Sequence, residues 1–159
     1  FETRAEADLV DALREQARPV VSLVAEAADR VVGHIMFSPV SLAGHPNLKI
    51  MGLAPLAVTP CYQRQGIGSA LVHAGLDRCR QLGVGSIVVL GHPEYYPRFG
   101  FSTASQFGLT CAYNVPDEAF MVLELQPGYL ANTSGLIQYH VAFSNVEAEQ
   151  RSSARVEQE

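Results

Sequence analysis

An apolar run, Leu53-Ala54-Pro55-Leu56-Ala57-Val58, stops at Thr59-Pro60 and is followed by Gly66-Ile67-Gly68-Ser69 and an amphipathic stretch. Pro60 cannot donate to a strand ladder and turns Thr59 away from helical angles. From Gly66 onward Ile67, Ala70, Leu71, Ala74 and Leu82 share one helical face. A buried strand that feeds a helix through a polar, glycine-containing turn leaves few options besides an α/β fold. The turn also has a chemical consequence. Helix N-termini carry unpaired N–H groups and the positive end of the dipole, and glycine lets a ligand approach the backbone closely. The spacing therefore predicts an anion site, with Gln65, Gly66, Gly68 and Ser69 offering backbone N–H groups to a phosphate.

The helix is expected to end near Leu82, with Gly83 as its stop. Ser86 to Leu90 follows as a short continuous apolar run, the pattern of a strand covered on both faces. Strand, turn, helix, strand is a βαβ unit with parallel strands. Elsewhere the pattern predicts a helix over 6–16 and a hairpin of strands 20–26 and 31–38 extended by 40–42. The central strand spans 49–58, bent near Gly52 or Pro55. A short helix over 94–99 entered through Pro93 and strands at 107–111, 119–125 and 136–143 complete the reading. From Asn145 the chain is polar without apolar periodicity.

Familiar phosphate-binding loops do not fit the turn. A P-loop needs Gly-Lys-Ser/Thr, and Gly68 is followed by Ser69-Ala70. The dinucleotide fingerprint needs a third glycine where Leu71 stands. What the turn does resemble is the Arg/Gln-x-x-Gly-x-Gly/Ala signature of the GNAT superfamily of N-acetyltransferases, carried here by Gln63, Gly66 and Gly68. A second stretch, Tyr95-Tyr96-Pro97-Arg98-Phe99-Gly100-Phe101, resembles that family's Tyr-x-x-x-Gly-Phe motif, with Tyr96 in the tyrosine place. The order and spacing of the two, with a strand between them, strengthen the match. The resemblance is specific over about residues 53–101. Within the superfamily it is nearest to a bacterial subgroup carrying Gly-Asp-Pro-x-Tyr-Tyr-x-Arg-Phe-Gly-Phe, where this chain has His92 in place of the acid.

The resemblance implies a GNAT-like fold with a mixed central sheet, splayed between two parallel strands and flanked by helices. It implies one domain over 1–144 with the first family strand missing, then a polar tail over 145–159. The co-substrate would be acetyl-CoA. Its pyrophosphate would lie on Gln63, Arg64, Gln65, Gly66, Ile67, Gly68 and Ser69. Its pantetheine arm would pair with Leu56, Ala57 and Val58. Tyr96 would protonate the departing thiolate: a phenol of ordinary pKa about 10 keeps its proton at neutrality, while a thiol near 8.5 can lose it. Tyr95 reads as its packing neighbour, and Arg98 as a solvated charge. The acceptor would be a small amine or a protein amino group. An alkylammonium with pKa about 10.4 must lose a proton first, and Glu26, His92, Glu94 and Glu118 are all conceivable bases. The competing reading is a non-catalytic acyl-CoA binding or sensing module that keeps the turn without an acceptor site.

Composition narrows the partners. The 159 residues suit one domain, and 48% hydrophobic with 17% charged residues indicates a packed core. A net charge of −5 gives no nucleic-acid footprint. Three cysteines in no paired pattern point to a reducing compartment, hence the cytoplasm, rather than to a disulfide framework. No run approaches the roughly 20 apolar residues of a membrane span, and the five histidines do not fall at zinc spacings. Homodimerisation enters only as family habit.

Overall fold

The computed structural model describes residues 7–11 and 20–139. The expected hairpin is there: β1 (Val21–Ala27) and β2 (Arg30–Leu42) run antiparallel, joined by Ala28-Asp29. Both turn residues have positive φ, 51° and 62°, the geometry whose twist matches a two-residue hairpin. Pro39 does not end β2. It falls between the part of that edge paired with β1 and the part paired with β8 (Gly135–Gln138), so a residue without an N–H is tolerated.

β3 (Ile50–Val58) lies antiparallel to the other edge of β2. Ile35 faces Leu56 but Phe37 faces Leu53, so β3 carries one extra residue at Ala54-Pro55. This is the bulge that the proline suggests. β4 (Ser86–Leu90) is parallel to β3, as the βαβ pattern requires, yet the pairing covers only Ile50–Gly52 against Ser86–Val88. Beyond Gly52 the two strands part. β3 stays with β2, and β4 goes with β7 (Phe120–Glu124). The sheet is thus splayed between its two central parallel strands.

Among the described residues eight strands form one mixed sheet, with β5 (Ser102–Thr103) on β7 at one edge and β6 (Leu109–Cys111) parallel to β8 at the other. One helix, α1 (Ile67–Gln81), covers one face. Ile35, Phe37, Met51 and Leu53 meet Leu71, Val72, Leu76 and Cys79 there, and Tyr96 and Phe101 close that core at the splay. The alternate residues Ile50 and Val88 enter a second core with Phe120, Leu130 and Ile137. Met36 enters a third with Leu9 and Val10.

Some expected boundaries shift. The strand placed at 107–111 begins only at Leu109, because Ala104–Phe107 forms a 3-10 turn ended by Gly108 at φ 72°. The short helix expected from Pro93 is a 3-10 turn over Tyr96–Phe99, with Pro97 in its first turn. The last strand is Gly135–Gln138, and residues 140–143 of its predicted span lie outside the described residues. Of the helix predicted over 6–16, residues 7–11 are helical and the rest lies outside, as do the segment before it and the tail over 145–159. The two-residue β5 had no counterpart in the sequence pattern.

Candidate active site

The turn between β3 and α1 folds from its own sequence. Gln63 is extended, Arg64 is left-handed at φ 63°, and Gly66 is left-handed at φ 85°. These angles fold the chain into a tight turn that leads into the helix. Holding a non-glycine such as Arg64 there costs on the order of 1 kcal/mol, and two side chains brace it. Gln63 donates from Nε2 to the Val58 carbonyl at 2.9 Å, and Gln65 donates from Nε2 to the Cys61 carbonyl at 3.3 Å. The first bond of the helix runs from the Ala70 N–H to the Gly66 carbonyl at 3.0 Å. No side chain caps Gly66, and no acid stands in the first turn. The N–H groups of Ile67, Gly68 and Ser69 therefore lie outside the helix ladder at its positive end.

This mouth opens into a cleft of about 470 Å³. One wall is Leu56 and Val58 at the end of β3. Another is Tyr62, Gln63, Arg64, Gly66, Gly68 and Ser69. The third is His92, Tyr95, Tyr96 and Arg98. The lining contains two guanidinium groups and no carboxylate, although the chain as a whole carries −5. The field that an anion meets in this cleft is thus opposite in sign to the net charge.

The two tyrosines are held differently. Tyr96 is buried, 8% exposed, with its ring 5.7 Å edge-on to Phe101 and 5.1 Å from Tyr95. It lies directly over Gly91, where a Cβ would meet its Cε2 at 2.4 Å. Burial, with Tyr95 adding, pushes its phenol up to about 12. Tyr95 leans over the helix mouth, its hydroxyl 3.1 Å from where a Cβ on Gly68 would stand. Burial also raises Tyr95, and Arg98 works against that rise. The Arg98 guanidinium lies 4.4 Å over the Tyr95 ring, and its Nε donates to the Tyr95 carbonyl at 2.9 Å.

The cleft brings together Leu56, Val58, Gln63, Arg64, Gly66, Gly68, Ser69 and Tyr96. It does not gather the side chains of Ala57, Gln65 and Ile67. Ala57, one residue out of phase with Leu56 and Val58, lines a separate pocket of about 250 Å³ with His34. Gln65 is turned back onto Cys61. Ile67 packs inward, its Cγ2 3.3 Å from where a Cβ on Gly33 would stand. For Gln65 and Ile67 only the backbone can serve the mouth. Tyr62, His92, Tyr95 and Arg98 are additions that the sequence reading left without a cofactor role. The one available signal was the Tyr95/Arg98 spacing, which a single helical turn brings face to face. His34, 2% exposed, is tied to the Ser22 hydroxyl at 2.9 Å.

A central splay, a helix seated on one face of the sheet and a cationic cleft at that helix's mouth describe an acyltransferase of the GNAT kind. Residues 1–101 match the model of the acetyltransferase (GNAT) family, and the chain belongs to that family. It is 40% identical over 145 residues to the "uncharacterized N-acetyltransferase YhbS" of Escherichia coli K12, covering 91% of this chain and 86% of that one. It is 43% identical over 126 residues to YjhQ of the same organism, covering 74% and 70%. Among solved structures, the E. coli YhbS N-acetyltransferase in complex with CoA superposes with a TM-score of 0.83 at 39% identity, over 91% of this chain and 80% of that one. A GNAT family acetyltransferase from Brucella melitensis in complex with acetyl-CoA gives 0.71 at 36% identity, over 90% and 80%. The protein is an acetyltransferase by family.

Proposed function

We propose that the protein moves an acetyl group from acetyl-CoA to a primary amine by direct attack, with Tyr96 as the acid that protonates the departing thiolate. The observation that carries this is the uncapped, carboxylate-free mouth of α1, opening into a cleft that runs to Tyr96. Several N–H groups there share the diphosphate, each contact being worth about 0.3–1 kcal/mol, up to ~2 where sheltered. Arg64 and Arg98 add charge on either side. The edge of β3 from Leu53 to Val58 makes no ladder with β4, which leaves backbone groups at Leu56–Val58 for the amides of the pantetheine arm. An N–H near Val58 then faces the thioester carbonyl and steadies its oxyanion; removing such a donor costs about 2.7–4 kcal/mol in other enzymes. Two relatives at 36–39% identity, crystallised with CoA and acetyl-CoA, support the same ligand here.

Tyr96 suits the acid role because burial keeps its phenol protonated across the working range. It is a weak acid, however, so its proton reaches sulfur only as the amine gives one up elsewhere. The acceptor is a small amine or a protein amino group. No described helix is long and apolar enough to cross a membrane. Cys61 and Cys79 are free thiols, which supports the cytoplasm as the working compartment. The test is thiol release from acetyl-CoA with a panel of amines, in wild type and Tyr96→Phe. The variant should bind acetyl-CoA with unchanged Kd and turn over about 10²–10⁴-fold more slowly. Tight binding without turnover of any amine would favour the acyl-CoA sensing module instead.

A further inference from the structure

Direct attack needs a proton acceptor as well as a donor, and the lining of the cleft narrows the choice. Of Glu26, His92, Glu94 and Glu118, only His92 lines the cleft that holds Tyr96. Its place is fixed by the backbone. The Gly91 N–H donates to the Ala119 carbonyl at 3.0 Å, and the His92 carbonyl accepts from the Tyr95 N–H at 3.1 Å. Gly91 lies against the Tyr96 ring, so the imidazole stands one residue from that contact. The side chain is exposed, and its ring nitrogens have no hydrogen-bond partner among the described residues. Tyr95, Tyr96 and Arg98 share its wall of the cleft, and Tyr62 and Arg64 line another. Glu94 follows it in the chain, and Glu118 sits on the turn that carries Ala119; neither lines the cleft. Arginine cannot accept a proton, and tyrosine at neutrality has one to give. Histidine is the side chain built to take one up in that range.

We propose that His92 is the base of the transfer, taking the proton of the attacking amine while Tyr96 supplies the one that sulfur receives. This rests on the acetyl-transfer reading above. The step balances. The arriving ammonium gives one proton to the imidazole, which passes it on to solvent. The neutral nitrogen then bonds to the acetyl carbon, the carbon–sulfur bond breaks, the phenol proton goes to sulfur, and the nitrogen's second proton returns through water to the phenolate, so the enzyme is reset.

The test has two arms. Bromoacetyl-CoA presents an alkylating carbon where the acetyl group lies, so a nitrogen at that position displaces bromide and keeps the label. Peptide mass spectrometry should find it on His92; a label elsewhere, or none on protein that binds acetyl-CoA, overturns the proposal. The second arm compares phenethylamine, a strong base, with O-benzylhydroxylamine, of like size but unprotonated at neutral pH. His92→Gln should slow the first by about 10²–10⁴-fold and remove the acid limb of its kcat/KM profile. The second should change only a few fold, with the Kd for acetyl-CoA held. Equal loss on both amines, or none, sinks the base assignment. Wild-type protein that binds no acetyl-CoA sinks the parent reading instead.

Discussion

The hydroxyl of Tyr95 occupies the space beside Gly68: a Cβ added at Gly68 would lie 3.1 Å from that oxygen, with the Val58 Cγ2 next at 3.8 Å. The second glycine of the turn is therefore matched to a tyrosine of the other motif. Gly68→Ala should leave stability near wild type, since alanine favours the helix by about 0.5–1 kcal/mol while the tyrosine tip must give a few tenths of an ångström. It should weaken acetyl-CoA binding, because the moving ring carries Arg98 with it. Tyr95→Phe in the same chain should restore part of the affinity. A calorimetric double-mutant cycle measures this coupling, and additive effects would mean the two residues are independent.

Gly66 is a glycine for a different reason. Nothing lies within 4 Å of its missing Cβ, but its φ is +85°. Space is open and the backbone angle is the constraint. Gly66→Ala should therefore cost about 1–2 kcal/mol, seen as a lower denaturation midpoint. Gly66→Asn should cost less, because asparagine tolerates left-handed angles. Gly66→Asp should share that tolerance yet lose acetyl-CoA affinity sharply, since it sets a carboxylate at the anion mouth. Equal affinity for the Asn and Asp variants would remove the anion from this turn.

The phenol of Tyr96 gives a pH signature. Its pKa lies near 10 in the unfolded chain and is pushed to about 12 in the fold. The protonated form is thus favoured by folding, and the stability it contributes is whole below pH 10. That contribution is lost as pH rises through 12, on the order of 2–3 kcal/mol in all. Tyr139 is raised in the same direction by burial, with Cys111 and Tyr113 adding. Tyr96 and Tyr139 should therefore ionise late in the tyrosinate absorbance. Tyr96→Phe should remove one late step and flatten the alkaline loss of stability. Absorbance with no late step would contradict the burial of Tyr96 and Tyr139 described here.

Local signals carried much of the fold. The Leu53–Leu71 stretch and the Ser86–Leu90 run could be read as a βαβ unit because strand, breaker, glycine and helical face lie next to one another in the chain. The irregularity of the central strand was legible at Gly52 and Pro55: β4 leaves β3 beyond Gly52, and the bulge against β2 falls at Ala54-Pro55. The edges were not. β5 is two residues long, and Leu109–Cys111 becomes a strand only by pairing with Gly135–Gln138, some 25 residues on. The cleft shows the same division. Gly66, Gly68 and Tyr96 stand out by motif. His92 joins them only because the turn after β4 lies beside the mouth of α1, which no local pattern reports, whereas Arg98 is signalled by its spacing from Tyr95. Ala57, Gln65 and Ile67 lie in the right stretch, but strand alternation and helical phase turn their side chains elsewhere.

A second glycine on α1 tests how that helix is aimed. At Gly75 a Cβ would stand 2.2 Å from Cε2 of Phe37 and 2.8 Å from its Cζ. Phe37 is fully buried on β2, so its ring cannot swing aside. The helix must instead lift off the sheet, and its mouth lifts with it. Gly75→Ala should therefore lose about 1–3 kcal/mol by overpacking, more than alanine returns in helix propensity. Thermal unfolding should show a clear fall in Tm. The same chemical change at Gly68 should do the reverse, sparing Tm and weakening the cofactor. If Gly75→Ala unfolds like wild type, α1 is not seated on Phe37, and the close approach that places its N-terminus at the splay is wrong.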